Sequence, residues 1–197
     1  MKVKTMEKSQ ATKNKILDCT IEMLKNGDMD ILSMSKIAAK AEIGKSTIYE
    51  YFPSKEELVK SALKREIDIS LEDFLSVKMG KTLYESYCAH LKKGLEIAED
   101  AIQLVGYPST NNISFMNKEE IDEMVSGALL PVFERLIEIY NQGVEEKTIT
   151  PKRDFTSKLY VLAAFFKGML LEKYKHKIPD DEFMEDLYEN MLILVNN

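Results

Sequence analysis

The chain has 197 residues, 45% hydrophobic and 30% charged, a composition that fits a folded unit and excludes a disordered chain. Its longest unbroken apolar run, Leu159 to Phe166, falls far short of the roughly 20 residues of a membrane span. The formal net charge of −6 speaks against a nucleic-acid partner, provided that the charge is evenly spread.

It is not evenly spread. The first 65 residues hold 13 basic and 9 acidic side chains, a surplus of four positive charges. The remainder holds 14 basic and 24 acidic side chains, a net −10. One segment therefore suits an anionic polymer and the other does not, although chance clustering of solvated lysines gives the same count. Met1 to Gln10 is polar and lysine-rich, unlike a secretory signal. Cys19 and Cys88 are distant and outside any metal-ligand spacing, which predicts reduced thiols and a cytoplasmic protein.

In chain order nearly everything reads as helix, with 5 prolines, 8 glycines and no sustained period-two alternation. The first helix is expected from about Ser9 to Asn26, with Ile16, Thr20 and Met23 on one face and Gly27 as its stop. A short helix follows from Ser33, with Ile37, Ala38 and Ala41 inward. The junction Glu42-Ile43-Gly44-Lys45 leads into another short helix that ends at Phe52, before Pro53. Ser54 to Glu57 has the form of a capping box, in which Ser54 accepts the Glu57 amide and the Glu57 side chain reaches back. The helix it opens carries Val59, Leu63, Ile67, Leu71 and Leu75 at intervals of four.

A helix over about Thr82 to Val105 is expected to bury Tyr84, Tyr87, Cys88, Leu91, Leu95 and Ile102. Gly106 to Asn112 reads as a loop. A helical region over about Lys118 to Glu146, broken or kinked near Gly127 or Pro131, and helices over about Asp154 to Lys175 and Asp181 to Val195 complete an all-α chain of about nine helices.

Residues 33 to 52 have the form of a helix-turn-helix. Ala38 and Ala41 allow close helix approach, Ile43 plugs the turn, and Ile48 with Phe52 give the second helix one buried face. Lys45, Ser46, Thr47, Tyr49 and Glu50 remain outward, and four of these five offer donors to phosphates or base edges. Lys55 opposes the dipole at the start of the next helix, which a phosphate partner explains better than stability does. Two helices packed with a solvated polar face share the buried pattern; the outward donors are what favour DNA.

The run Ile37 to Leu58, above all Thr47-Ile48-Tyr49, Tyr51-Phe52 and Ser54-Lys55-Glu56, resembles the signature of the tetracycline-repressor (TetR) family of transcriptional regulators. Asn141 to Pro151 is similar to a turn many members carry before their penultimate helix. The chain departs from the family pattern at Glu42, where Gly is usual, and at Gly44, where Ser is frequent. A left-handed residue at position 42 costs about 1–2 kcal/mol; alternatively the turn uses Gly44.

The resemblance implies residues 1–53 as a helix-turn-helix DNA-binding domain and 54–197 as a helical ligand-binding and dimerisation domain. It implies a homodimer on a palindromic double-stranded DNA operator, released by a small-molecule effector; neither a membrane partner nor a cofactor is expected. By position, Lys45, Ser46 and Thr47 line the major groove, Tyr49, Tyr51 and Lys55 contact phosphates or bases, and Ser33 and Lys36 anchor the preceding helix. Lys2, Lys4 and Lys8 form either a minor-groove arm or a frayed end.

The effector pocket is expected among Tyr84, Tyr87, Cys88, Leu91, Tyr107, Phe115, Met116 and Met124, residue types that serve equally as plain core. Leu159, Leu162, Phe166, Met169, Phe183, Leu187, Met191 and Leu194 form more apolar stripe than two helices need, and the resemblance assigns them to a four-helix dimer interface. The two histidines, His90 and His176, are remote in sequence, and neither a metal motif nor a nucleophile elbow is present, so an enzyme is not expected. A helical adaptor that binds only protein accounts for the acidic bundle but not for the outward Lys45-Ser46-Thr47-Tyr49 face.

Overall fold

Helices without strands make up the described parts of the chain. A computed structural model describes residues 2–26, 32–105, 118–151 and 180–196. Seven helices fall in them: α1 (Lys2–Lys25), α2 (Met34–Lys40), α3 (Lys45–Tyr51), α4 (Lys55–Ser76), α5 (Leu83–Val105), α6 (Lys118–Glu145) and α7 (Asp180–Asn196). The expected helix over 154–175 and the loop over 106–112 lie outside the described residues.

Two expectations on helix bounds change. Helix α1 starts seven residues before Ser9, because Lys2 to Lys8 contains neither Gly nor Pro and extending a formed helix costs far less than nucleating one. Helix α6 is continuous through Pro131. A proline removes one backbone hydrogen bond and presses on the carbonyl four residues earlier, here that of Gly127. One lost bond does not end a helix of 28 residues.

The chain divides into two compact units, residues 1–70 with 98–127 and residues 71–97 with 128–197. The first is built on Ile16, Leu17, Leu24, Ile37, Ala38, Ala41, Ile48, Phe52, Leu58, Val59 and Ala62, all buried in one cluster. The second holds two clusters. Leu83, Ile139, Ile149, Met191 and Val195 form one, and Leu91, Leu95, Phe183 and Leu187 form the other. Among the described residues no helix is long and apolar enough to cross a membrane.

The buried face of α5 is centred on Leu83, Leu91 and Leu95, with Tyr87 half-buried between them. Tyr84 is therefore not a core residue as expected: it is 47% exposed, one position around the helix, and meets Tyr188 edge-on at 4.8 Å. Ser86 and His90 occupy the flank of this stripe and are buried.

Candidate nucleic-acid interface

Helices α2 and α3 form the helix-turn-helix, and their sequence explains the geometry. Ser33 caps α2, its Oγ accepting the Lys36 amide at 3.3 Å. At the other end Glu42 stands at φ 55, in the left-handed region. Its amide donates to Ala39 O at 3.1 Å, and the Ile43 amide donates to Ala38 O at 3.0 Å. Together these bonds form a Schellman motif, which closes the last carbonyls of α2 and brings Ile43 onto the core.

The turn thus places its left-handed residue at Glu42, the position where the family pattern has Gly. Gly44 is ordinary extended backbone (φ −66, ψ 148) and acts as the N-cap of α3 without a side-chain hydrogen bond. A Cβ there meets only Thr47 Oγ1 at 3.6 Å and Ser46 Oγ at 3.7 Å, so Ser fits this position too. Glu42 is answered electrostatically: Lys15 Nζ lies 2.7 Å from its carboxylate, and that hydrogen bond holds the acid below its usual range.

On α3, Ile48 is fully buried and Phe52 nearly so, as the spacing predicts. Lys45, Ser46, Tyr49 and Glu50 are exposed, Thr47 is half-buried, and Tyr51 packs on the core edge. Lys36 is exposed in the first turn of α2, and Lys55 is half-buried in the first turn of α4. At that helix start Ser54 Oγ accepts the Glu57 amide at 3.1 Å. The answering carboxylate belongs to Glu56 rather than Glu57: its own backbone amide first, then the Ser54 hydroxyl, hold it below the usual range.

The charges of this unit are sorted. Lys15 pairs with Glu42, Lys25 with Glu66, Lys40 with Glu22, and Arg65 with Asp18. Lys13 lies over the Phe52 ring at 5.8 Å. Lys36, Lys45 and Lys55 stand in no ion pair among the described residues. Lys8, Lys13 and Lys64 are likewise without a carboxylate partner among the described residues, but only Lys36, Lys45 and Lys55 lie in the first turns of α2, α3 and α4. An uncompensated cation row next to hydroxyl and phenol donors has the chemistry that holds a phosphate backbone while reading base edges.

The residues proposed for a pocket are only partly brought together. Tyr84, Tyr87 and Cys88 gather on α5 beside Tyr188, and the Tyr87 hydroxyl donates to Leu187 O at 3.1 Å. Burial, aided by Cys88 and Tyr188, pushes the Tyr87 phenol above its ordinary range. Leu91 packs with Leu95, Phe183 and Leu187. Tyr107, Phe115 and Met116 lie outside the described residues, as does the side chain of Met124.

On α7, Phe183, Leu187 and Met191 are buried within the protomer's own clusters, Leu194 is half-buried and Ile193 is 57% exposed. Leu159, Leu162, Phe166 and Met169 lie outside the described residues.

Sequence reasoning missed the polar network of the second unit. Arg135 donates through Nη1 to Val77 O (2.7 Å) and to His90 Nε2 (3.0 Å), and through Nη2 to Leu75 O (3.0 Å). Its Nε meets Glu138 at 2.8 Å. Nearby, Gly80 N donates to Ser86 Oγ, which donates to Gln142 Oε1, whose Nε2 returns to Gly80 O. The signal in the sequence was faint: two polar residues four apart, Ser86 and His90, beside an apolar stripe.

These observations define a helix-turn-helix protein, with α3 as the second helix of the motif. Residues 16–62, which span that motif, match the family model described as bacterial regulatory proteins, tetR family. The transcriptional repressor KstR of Mycolicibacterium smegmatis is 36% identical over 62 residues, which are 32% of this chain and 30% of that protein. The chain thus spans under a third of the length of that relative. A transcriptional regulator of Staphylococcus aureus is 24% identical over 93% of this chain and 98% of its own.

Two solved structures share the fold. A tetR-family regulator from Streptomyces coelicolor matches with a TM-score of 0.71 at 15% identity, over 92% of this chain and 81% of its own. The regulator LfrR from Mycobacterium smegmatis, in complex with proflavine, matches with a TM-score of 0.58 at 17% identity, over 91% of this chain and 94% of its own. Residues 16–62 thus resemble the helix-turn-helix region of tetR-family regulators, and the chain shares the fold of solved members of that family.

Proposed function

We propose that this protein is a ligand-responsive transcriptional repressor that binds a palindromic double-stranded DNA operator as a homodimer and is released by a small-molecule effector. The observation that carries the reading is the charge sorting: Lys36, Lys45 and Lys55 stand in no ion pair beside an α3 face of hydroxyl and phenol donors, while Lys15, Lys25, Lys40 and Arg65 are neutralised. In this reading Lys45, Ser46 and Thr47 enter the major groove, Tyr49, Tyr51 and Lys55 reach phosphates or bases, and Ser33 and Lys36 hold the start of α2 against the backbone.

The effector site belongs to the second half of the chain, around Tyr84, Tyr87 and Cys88; LfrR, which shares the fold, carries proflavine. Dimerisation uses the segment over 154–175 with the outer face of α7, where Ile193 is exposed. The effector acts by biasing the pose of α4, which is continuous from Lys55 to Ser76. The functional division is 1–53 for DNA and 54–197 for ligand and dimer, in a cytoplasmic protein without catalytic chemistry. A protein-only adaptor leaves the uncompensated cations beside α3 without a role.

A gel shift of the full-length protein on the DNA upstream of its own coding region tests this reading. Specific binding that is lost with rising salt and weakened in Lys45→Ala and Tyr49→Ala supports it. Absence of binding by the folded, dimeric protein would favour the adaptor.

A further inference from the structure

Glu50 is the residue that the DNA face does not explain. At about 100° per residue, Lys45, Tyr49, Ser46 and Glu50 fall within one arc of about 140° on α3, and all four are exposed. Ser46 and Glu50, four apart, are neighbours on that arc.

Asp68 and Asp100, outside the helix-turn-helix, are likewise exposed and unpaired among the described residues, but the other described carboxylates from Lys8 to Glu66 behave differently. Asp18, Glu22, Glu42 and Glu66 are each held by a cation, and Glu56 and Glu57 lie in the capped first turn of α4. Glu50 has neither an ion-pair nor a hydrogen-bond partner among the described residues. A carboxylate brought to a phosphate backbone is repelled, and nothing among the described residues compensates it. In the major groove it has one kind of partner, an exocyclic amino donor, and cytosine N4 presents that donor without a flanking acceptor.

We propose that Glu50 is a base-reading residue that accepts a hydrogen bond from a cytosine amino group in each operator half-site, so that it contributes sequence discrimination at the expense of general affinity for DNA. This rests on the DNA-binding reading above and assigns it a base. The rest of the arc divides the work: Lys45 supplies the attraction to phosphates, and Ser46, beside Glu50, meets the same or an adjacent base pair.

The test is selection from a randomised duplex DNA pool by the full-length protein and by its Glu50→Ala and Glu50→Gln variants, with sequencing of the bound fraction. Glu50 is exposed and unpartnered, so neither change disturbs the fold, and equal thermal unfolding midpoints verify this. The wild type is expected to enrich a symmetric motif with cytosine at one position per half-site. Glu50→Ala should lose preference at that position alone and bind the selected duplex about 5- to 150-fold more weakly, while binding unrelated duplexes more tightly. Glu50→Gln should move the preference toward adenine, which Gln reads through N6 and N7.

A Glu50→Ala motif identical to that of the wild type, with all DNA bound more tightly, would overturn the inference and leave Glu50 a purely repulsive residue. Failure of the wild-type protein to enrich any motif would overturn the DNA-binding reading itself, and this inference with it.

Discussion

Arg135 Nη1 lies 3.0 Å from His90 Nε2 and 2.7 Å from the Val77 carbonyl, so one guanidinium joins a buried imidazole to the end of α4. The imidazole has a defined tautomer in this arrangement. Nδ1 donates to Ser86 O at 2.7 Å, which leaves Nε2 free to accept from Arg135. Phe74 closes the site edge-on at 5.5 Å. A proton on Nε2 would leave Arg135 facing another donor.

Stability should therefore fall in mild acid. Burial, with Arg135 adding to it, pushes the His90 imidazole below its ordinary value of 6.5. The unfolded chain then takes up the proton first, so the His90 contribution is complete above 6.5 and is lost as pH falls from there toward the depressed value. Urea unfolding midpoints should drop from pH 7 to pH 5 more steeply in the wild type than in His90→Gln. Parallel profiles would contradict this.

Arg135→Met should be among the costly substitutions. It leaves the carbonyls of Leu75 and Val77 and the acceptor nitrogen of His90 without their donor. Hydrogen bonds to a charged group contribute about 1.5–3 kcal/mol each at most, so a loss of about 2–3 kcal/mol overall is expected after relaxation and water entry. Chemical denaturation measures it directly.

Glu42 and Lys147 stand in the left-handed region at φ 55 and φ 62. Each is the residue after the cap of a Schellman motif; in the second, the Lys147 amide donates to Val144 O and the Thr148 amide to Gly143 O, both at 3.0 Å. Glycine relieves both positions. Lys147→Gly should stabilise by about 1 kcal/mol, and Glu42→Gly should raise the unfolding temperature by about 2–4 °C. Glu42→Ala should lower it, because the strain stays while the Lys15 partner is lost. A higher midpoint for Glu42→Ala would remove this account of the turn.

Gly143 sits where the opposite substitution is harmful. A Cβ there would stand 2.8 Å from Leu83 Cδ2 and 2.6 Å from Ile149 Cδ1, both in buried core. Gly143→Ala should destabilise by about 1–3 kcal/mol; a neutral result would show that the Ile149 side chain moves aside freely.

The helix-turn-helix was legible because its information is local. Ile37, Ala38, Ala41, Ile48 and Phe52 fall within sixteen residues, and helical spacing alone turns them inward. The left-handed turn was visible as a departure at Glu42, but not which of Glu42 and Gly44 would carry it. What escaped depends on residues far apart in the chain. The pairs Lys15–Glu42, Lys25–Glu66, Lys40–Glu22 and Arg65–Asp18 separate compensated from uncompensated cations, and no count along the sequence exposes them. The His90 site needs the end of α4 and a residue of α6 to meet. Tyr84 was misplaced for a simpler reason: a stripe beginning at Leu83 and one beginning at Tyr84 differ by a single residue on an amphipathic helix.

The central claim is that the cations without a carboxylate partner beside α3 are the ones that hold DNA. The most direct measurement is the salt dependence of operator affinity for single alanine variants of two lysine sets. Each phosphate contact removed lowers the slope of log K against log salt by about 1. Lys36→Ala, Lys45→Ala and Lys55→Ala should each lower it by about that amount, whereas Lys25→Ala, which removes a cation already paired with Glu66, should leave it unchanged. Equal slopes across both sets, or no salt-dependent binding by the folded protein, would contradict the account.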